Sequence, residues 1–426
     1  GGEGSDTLVT DVTGFAFDTV LVDLDPLAGS QTAASRDPAT ADTLVGVENY
    51  TLIGDWDAVL TGSDAANEIT TDAGSDDITT GLGRDTVNAG AGDDMIDASA
   101  GDFASEGFGD RIRPGLGSDT VLGSAALYAD GGGININYFD VDVPVGGLTI
   151  TVGADGTGTA VSGTGGLIDD TFTYADVFGG TDENDTITGS DREAYEGFVG
   201  NGGDDVIDGR GGFDEVYYTS SEGGVEINLL NGSVTGAAGN DTLLNIESVW
   251  ASNFDDTISG STSKDMVMGQ DGADTITGRG GFDIIDGGAG NDTVNGGVGS
   301  DTLMGGDGDD NITGADGFDE IHGDGGNDTL KGNAGNDTID GGDGEDTIQG
   351  GIGADMLFGG ADGDDISGAE GFDEIDGEDG DDILSGNAGN DTIRGGAGDD
   401  TITGGIGADT IFGGEGDDTL TGGTGA

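Results

Sequence analysis

The 426-residue chain has no cysteine, one histidine, four prolines and only ten lysines and arginines. Without cysteine it can form no disulfide, thiolate metal site or thiol nucleophile. Ten cations against 87 acidic residues, a formal net charge of −77, cannot form the basic face that nucleic acids or anionic membranes require. No run approaches the length of apolar sequence that a membrane-spanning helix needs. We therefore expect neither a nucleic-acid partner nor membrane insertion.

Glycine is the residue in excess, with 94 copies. Low hydrophobicity and high charge would by themselves indicate disorder, but the residues are periodic. From Gly269 to Thr421 the chain consists of 17 contiguous nine-residue units, the first GQDGADTIT and the last GGEGDDTLT. Position 6 is always Asp, position 8 is always Ile, Leu or Val, and position 4 is Gly except at Asp362.

This period predicts short strands that must stack, because one apolar residue per unit cannot form a core alone. Glycine turns allow backbone carbonyls to point inward at a cation. A carboxylate with several carbonyls is an all-oxygen ligand set that suits Ca²⁺, whereas zinc would need histidine or cysteine. Stacked units bring their aspartates close together, and without a cation these repel one another, so we expect metal binding and folding to be one event. The alternative is that each Asp only caps its own turn, which seventeen repetitions in phase disfavour.

The unit resembles the nonapeptide G-G-x-G-x-D-x-U-x of RTX (repeats-in-toxin) proteins. The resemblance implies an all-β fold, a parallel β-roll (β-solenoid) with two repeats per turn, in which loop n faces loop n+2. It also implies Ca²⁺ between facing loops, held by position-6 aspartates and glycine-turn carbonyls, with at most about 15 ions in the main array. The implied ligands there are Asp274, Asp283, Asp292, Asp301, Asp310, Asp319, Asp328, Asp337, Asp346, Asp355, Asp364, Asp373, Asp382, Asp391, Asp400, Asp409 and Asp418.

Broken copies of the unit occur upstream. Gly1–Val9 is one intact unit, which predicts that the chain begins inside a longer protein. Residues 62–97 contain four units, the first with Asn67 at position 6, and residues 200–217 contain two. Asp110 and Asp119 continue the pattern weakly. The further candidate ligands are Asp76, Asp85, Asp94, Asp205 and Asp214.

Three inserts separate these arrays, each with an alternating strand, a turn, a D-T step and a second strand. Alternation indicates one buried face, so the inserts are expected to extend the solenoid as longer strand pairs. Trp56, Tyr138, Phe139 and Trp250 are expected to fill a wider core. The predicted segments are 1–61 (repeat end and first insert), 62–122 (degenerate array), 123–199 (second insert), 200–217 (two repeats), 218–268 (third insert and eroded repeats) and 269–426 (main β-roll).

Five phenylalanines of the main array fall in even-numbered units counted from Gly269, which predicts that they share one side of the roll. They are Phe282, Phe318, Phe358, Phe372 and Phe412. Two interpretations remain open. The rings cover loop backbone, or they form a stripe for lateral association or ligand contact.

No catalytic constellation is present in the sequence. A nucleophilic triad needs a histidine or comparable base, and His322 stands alone at position 9, as expected for a surface strand residue. Carboxylate pairs carry no information among 87 acids, and the loops lack the lysine of phosphate-binding loops. We therefore expect a protein that is not an enzyme.

The resemblance implies a calcium-binding module of a secreted protein, exported by a type I channel and folded in calcium-rich medium. There it would be a rigid extracellular spacer, adhesin or surface-layer element, whose contacts include cell surfaces, polysaccharide or further copies of itself. One alternative is the export and folding module of a secreted protease, lipase or alginate epimerase whose catalytic domain lies outside this chain. Another is a subunit of a self-assembling lattice or filament.

Overall fold

A computed structural model describes residues 7–11, 19–23, 31–35, 42–44, 49–53, 57–62, 65–71, 73–99, 110–123, 134–139, 147–153, 155–163, 167–193 and 195–425. The chain divides into two compact units, one of residues Gly1–Val216 with Gly239–Ile246 and one of Tyr217–Ala238 with Glu247–Ala426. Throughout the described residues the regular structure is β-strand.

The strands up to residue 217, together with one later strand of the first unit, are Thr7–Asp11, Thr19–Asp23, Gln31–Ser35, Asp42–Leu44, Asn49–Ile53, Asp57–Thr61, Glu68–Thr70, Asp77–Thr79, Thr86–Asn88, Met95–Asp97, Arg111–Arg113, Thr120–Leu122, Ile134–Asn137, Leu148–Val152, Thr157–Ser162, Asp169–Thr173, Ala175–Gly179, Thr186–Thr188, Tyr195–Val199, Val206–Asp208, Phe213–Tyr217 and Thr242–Leu244.

The remaining strands of the second unit are Val225–Asn228, Ser233–Gly236, Ser248–Trp250, Thr257–Ser259, Met266–Asp271, Thr275–Gly281, Ile284–Ala289, Thr293–Gly299, Thr302–Asp307, Asn311–Asp316, Glu320–Gly325, Thr329–Ala334, Thr338–Asp343, Thr347–Gly353, Met356–Ala361, Asp365–Gly371, Glu374–Asp379, Ile383–Ser385, Ala388–Gly389, Thr392–Ala397, Thr401–Thr403, Thr410–Glu415 and Thr419–Thr421.

The main array is a parallel β-roll with two repeats per turn. Thr275 pairs in parallel with Thr293, and Thr293 pairs with Asn311, always 18 residues on. The intervening units pair among themselves in a second sheet with the same spacing, as Ile284 does with Thr302. The predicted fold, in which loop n faces loop n+2, is confirmed.

Most strands of the array have six or seven residues, and so extend beyond the short segment around the position-8 side chain. Thr275–Gly281 has seven residues and continues through the glycine turn of the next unit. Turn residues also pair with the turn 18 residues on, as Gly281 does with Gly299. This stacking requires glycine at position 4, because a Cβ on Gly299 would collide with the carbonyl oxygen of Gly281 one turn earlier.

The core of the array is two columns of position-8 side chains. From Ile276 to Ile402 every one of them is at most 1% exposed. Burying an aliphatic side chain of this size contributes about 1.5–3 kcal/mol. One such residue per nine is a thin core for this length of chain, so the turns need a second source of stability.

The inserts extend the sheets as predicted. Leu148–Val152 forms an antiparallel pair with Thr157–Ser162, and it also lies parallel to Thr186–Thr188 of a repeat. In the second unit Val225–Asn228 pairs antiparallel with Ser233–Gly236 and parallel with Thr257–Ser259. The long strand of each insert therefore continues the parallel ladder, and its partner adds a hairpin.

The predicted aromatic core of the inserts is correct only in part. Tyr138 is buried directly after the strand Ile134–Asn137, whereas Phe139 is 43% exposed because it lies in the turn that follows, where its N–H donates to Asn137 Oδ1. Trp250 is half-buried, with its ring centroid 6.0 Å from that of Tyr217. Trp56 lies outside the described side chains.

Three phenylalanines that the pattern did not single out fill the core of the first unit. Phe172, Phe178 and Phe198 are at most 2% exposed. Their ring centroids lie 5.4 Å apart for Phe172 and Phe178, and 6.1 Å apart for Phe178 and Phe198.

The five even-unit phenylalanines do not form one group. Phe358 and Phe412 lie in the strands Met356–Ala361 and Thr410–Glu415. Phe282, Phe318 and Phe372 lie at loop position 5 and are 66–67% exposed. The prediction of one shared side is wrong for Phe358 and Phe412, because they stand at position 9, which belongs to a sheet, whereas position 5 belongs to a loop.

Candidate metal centres

The position-6 aspartates form two hydrogen-bonded ladders along the main array. The backbone N–H of Asp274 donates to Oδ1 of Asp292 at 2.7 Å, and that of Asp292 donates to Asp310 at 2.7 Å. The other ladder begins with Asp283 donating to Asp301 at 2.8 Å. The same bond joins each later member to the next as far as Asp418, with N···O distances of 2.7–3.1 Å. Oδ1 therefore ties each turn to the preceding one.

The second carboxylate oxygen has no hydrogen-bond partner. Asp274 through Asp400 are only 1–2% exposed, and their burial removes water as a donor. The aspartates of the array with a buried, unpartnered Oδ2 are Asp274, Asp283, Asp292, Asp301, Asp310, Asp319, Asp328, Asp337, Asp346, Asp355, Asp364, Asp373, Asp382, Asp391, Asp400 and Asp409. Asp418 is half-buried.

Backbone carbonyl oxygens converge on the same place. A Cβ built on Gly278 would lie 2.5 Å from Asp283 Oδ2 and 2.6 Å from the carbonyl oxygen of Gly296. A Cβ on Gly296 would lie 2.6 Å from Asp301 Oδ2 and 3.0 Å from the carbonyl of Gly314. A buried carboxylate oxygen and a carbonyl that face one glycine make a donor-free, all-oxygen setting, which fits a hard cation such as Ca²⁺.

Side chains alone could not complete such a site. Among the described residues no group of three or more His, Cys, Asp or Glu side chains is placed to hold a metal. Carbonyl oxygens of the loops would have to supply the remaining ligands. A closed zinc site of histidine and cysteine does not fit.

Burial disfavours the charged form of these carboxyls. Burial raises the pKa of Asp274 and of Asp283 to about 7, and ladder neighbours such as Asp301 add to the shift for Asp283. Burial likewise raises the pKa of Asp319 and of Asp337 to about 6. The accepted backbone hydrogen bond lowers each pKa but does not offset burial. A bound cation would restore the charged form.

The upstream candidates occupy equivalent places. Asp76 donates its N–H to Oδ1 of Asp94 at 2.7 Å, and Asn67 donates to Asp85 at 2.7 Å. Burial raises the pKa of Asp85 to about 8 and that of Asp94 to about 7.

The other two upstream candidates lie after the second insert. Asp205 donates its N–H to Oδ1 of Asp241 at 3.0 Å and has a buried Oδ2 without a partner. Asp214 is fully buried in the strand Phe213–Tyr217.

The ladders also include aspartates that the sequence prediction did not name as ligands: Asp119 at the end of the degenerate array, and Asp170 and Asp185 in the second insert. Asp94 donates to Asp119 at 2.7 Å, and Asp119 donates to Asp170 at 2.8 Å. Asp185 in turn donates to Asp205 at 2.8 Å. Each of the three is followed by threonine, and this D-T step is the signal that identifies them. Asp119 also has a buried, unpartnered Oδ2, which makes it a further candidate ligand.

A second kind of loop closes its aspartate with a hydroxyl group. Ser252 donates its N–H to Oδ2 and its hydroxyl to Oδ1 of Asp256, both at 2.8 Å. Ser261 does the same for Asp265, at 2.6 and 2.9 Å. In these loops serine stands at position 2, where the consensus has glycine. The serine N–H thus occupies Oδ2, the oxygen that has no partner in the other loops, and the hydroxyl occupies Oδ1.

Three further aspartates accept a hydroxyl. Thr181 donates its N–H and hydroxyl to Asp185. The Tyr138 hydroxyl donates to Asp170 Oδ2 at 2.7 Å, and the Thr80 hydroxyl donates to Asp110 Oδ2 at 3.0 Å. Position-6 aspartates are therefore of two kinds, open toward a cation or closed by a hydroxyl.

His322 lies in the strand Glu320–Gly325 with a partly exposed side chain, as predicted for a surface position. Its Nε2 is 3.5 Å from Glu320 Oε1, and its Nδ1 is 4.0 Å from Asp340 Oδ2. Both neighbours lie on the surface of the sheet and away from the ladders.

A parallel β-roll whose turns carry buried aspartates with one open oxygen is a cation-binding solenoid. The family model of the RTX calcium-binding nonapeptide repeat matches residues 57–102, 198–217 and 250–426 in overlapping segments, more than half of the chain. The chain therefore belongs to the RTX calcium-binding repeat family, and the ion of these repeats is Ca²⁺. No curated protein sequence matches it significantly. Among the described residues, no helix has the length and apolar character needed to cross a bilayer.

Proposed function

We propose that this chain is a calcium-triggered, non-catalytic structural segment of a secreted protein. It passes a type I export channel unfolded and folds in calcium-rich medium into a rigid spacer, adhesin or surface-layer element. The observation that supports this most directly is that sixteen aspartates of the array each have a buried Oδ2 to which no hydrogen bond is donated.

Those oxygens make folding depend on the ion. The folded chain must bury carboxylates that are charged in the unfolded chain at neutral pH, and the position-8 columns are a thin core to offset this. Bound Ca²⁺ supplies the missing positive charge. Low intracellular calcium then keeps the chain unfolded, and external calcium drives folding.

The same contacts make the folded array rigid. Every turn is joined to the next by two parallel sheets and by the Oδ1 ladder, and adjacent strands lie about 4.8 Å apart. The 17 units, two to a turn, therefore span about 40 Å. A rod of this kind suits a spacer or a surface element.

Circular dichroism during a calcium titration tests the proposal, starting from chelator-treated protein with magnesium as the control ion. We expect a cooperative change from coil to β-structure at about 10⁻⁴–10⁻³ M calcium, and none with magnesium. A chain that is already β-structured in chelator at neutral pH would contradict the proposal.

Two substitutions in one loop distinguish the loss of an ion ligand from the loss of one negative charge. Asp319→Asn keeps an oxygen that can accept the N–H of Asp301 but replaces the open oxygen with an amide donor. We expect the calcium midpoint to rise severalfold. Asp316→Asn removes the same charge from an exposed position of that loop and should leave the midpoint nearly unchanged. Equal shifts would mean that only net charge matters.

A further inference from the structure

The two edges of the main array differ in charge. Even loops, counted in units from Gly269, stack along one edge, and odd loops stack along the other, because pairing always joins units two apart. Positions 1 to 5 of the odd loops hold thirteen acidic residues and no cation. The same positions of the even loops hold only Asp316, Glu370 and Arg279 as charged residues.

The even edge carries large apolar side chains in place of the acids. Six of them are 63–67% exposed, and they define the apolar edge: Phe282, Val298, Phe318, Ile352, Phe372 and Ile406. In-register pairing aligns Val298 with Ile352 through Asp316 and Ala334 at position 3. The phenylalanines form a neighbouring row at position 5 of the same stacked loops. Large exposed apolar patches on soluble proteins mark interaction sites.

We infer that the apolar edge is the contact surface for a second copy of this chain. The odd edge would repel a copy, because it presents thirteen acidic residues and no cation. Six such side chains, each about two thirds exposed, present on the order of 600 Å², close to the roughly 800 Å² per partner of a standard interface. This inference rests on the proposed calcium-triggered fold, since loops 18 residues apart are aligned only in the roll.

The sequence of the edge favours an antiparallel, two-fold pairing, in which each contact occurs twice. A two-fold axis between the turns of Phe318 and Ala334 places Phe282 opposite Phe372 of the second copy, and Val298 opposite Ile352. The same register brings Arg279, the cation of this edge, to the level of Glu370. The bulky residues and the opposite charges therefore match in one arrangement.

Sedimentation velocity of the calcium-loaded chain tests the contact. We expect a dimer in the micromolar range, and Phe318→Ser with Phe372→Ser should raise its dissociation constant at least tenfold. The matched control is Met356→Ser with Ile383→Ser, which removes exposed apolar side chains from the sheets (43% and 55% exposed) and should leave the dimer intact. Circular dichroism of each sample shows whether it has folded.

The outcomes separate the two proposals. A wild-type chain that is folded in calcium but monomeric at about 100 µM, where a micromolar dimer would be almost fully associated, overturns the edge contact and leaves the proposed function standing. Equal weakening by the control pair also overturns it. A chain that does not fold in calcium contradicts the proposed function instead.

Cross-linking tests the antiparallel register, and the natural absence of cysteine makes single introduced thiols unambiguous. In the proposed register position 300 lies opposite position 354 of the second copy. A mixture of the Ser300→Cys and Ala354→Cys variants should form a mixed disulfide on mild oxidation. Preferential pairing of the Ser300→Cys variant with itself would contradict the register.

Discussion

At the scale of single residues, position 2 of each unit of the main array has a left-handed backbone. Gly297 has a φ of 107° there, but Ala315 and Ala369 occupy the same position with φ of 84° and 76°. An L-residue with a side chain costs about 1–2 kcal/mol in this conformation. These alanines are therefore local weak points.

Replacing Ala369 with glycine should stabilise the calcium-loaded array. The gain is the relieved backbone strain minus the greater entropy of glycine in the unfolded chain, a net of about 0.5–1 kcal/mol. Urea unfolding in saturating calcium measures it as a higher midpoint. Ala289→Gly is the control, because Ala289 ends the strand Ile284–Ala289 without a left-handed φ, and there glycine should cost about 0.5–1 kcal/mol. A lower midpoint for Ala369→Gly would show that strain at position 2 is negligible.

At the scale of a whole loop, a serine at position 2 closes the aspartate, as Ser261 does in the loop of Asp265, whereas the loop of Asp283 has Arg279 at position 2 and stays open. Asp283 and Asp265 are hydrogen-bonded neighbours on one ladder, 2.9 Å apart from N to Oδ1. Asp283 has a free, buried Oδ2. Asp265 accepts two bonds from Ser261. Loops such as that of Asp265 hold their shape through protein donors.

Asparagine at these two positions should therefore have different effects on the ion count. We expect Asp283→Asn to reduce the number of calcium ions bound at saturation by at least one, because the open oxygen is replaced by a donor. Asp265→Asn should leave the count unchanged and lower stability by about 1–3 kcal/mol through loss of a paired buried acceptor. Equilibrium dialysis with calcium gives the count. An ion lost from the Asp265→Asn variant would show that hydroxyl-closed loops also bind calcium.

At the scale of the whole molecule, the period of nine predicted stacked short strands, and the resemblance to RTX repeats supplied the parallel roll with two units per turn. One apolar residue per unit can be buried only in a stack, and the 18-residue register follows from two units per turn. The Asp274–Asp292 bond could not be predicted, because which oxygen takes an N–H depends on backbone geometry between turns. The burial of Tyr138 but not of Phe139 likewise depends on where a strand ends.

The aspartate ladders also predict how the whole array responds to pH without calcium. The pKa of Asp274 is raised to about 7 and that of Asp319 to about 6, from an ordinary value of 3.8. Between about pH 4 and pH 7 the folded chain binds more protons than the unfolded chain, so its stability increases as the pH falls. This stabilisation is complete below about pH 4 and is lost as the pH rises through 6 to 7.

Calcium-stripped protein should therefore gain β-structure when the pH is lowered from 8 to about 5, as circular dichroism would show. Protons and calcium compete for the same oxygens, so the calcium midpoint should rise over the same interval. Lowering the pH should thus favour folding without calcium and weaken the effect of calcium, and protonation of the ladder explains both trends. A general loss of charge repulsion would instead favour folding at every calcium concentration. A calcium midpoint that falls as the pH is lowered would mean that the buried carboxylates do not hold the ion.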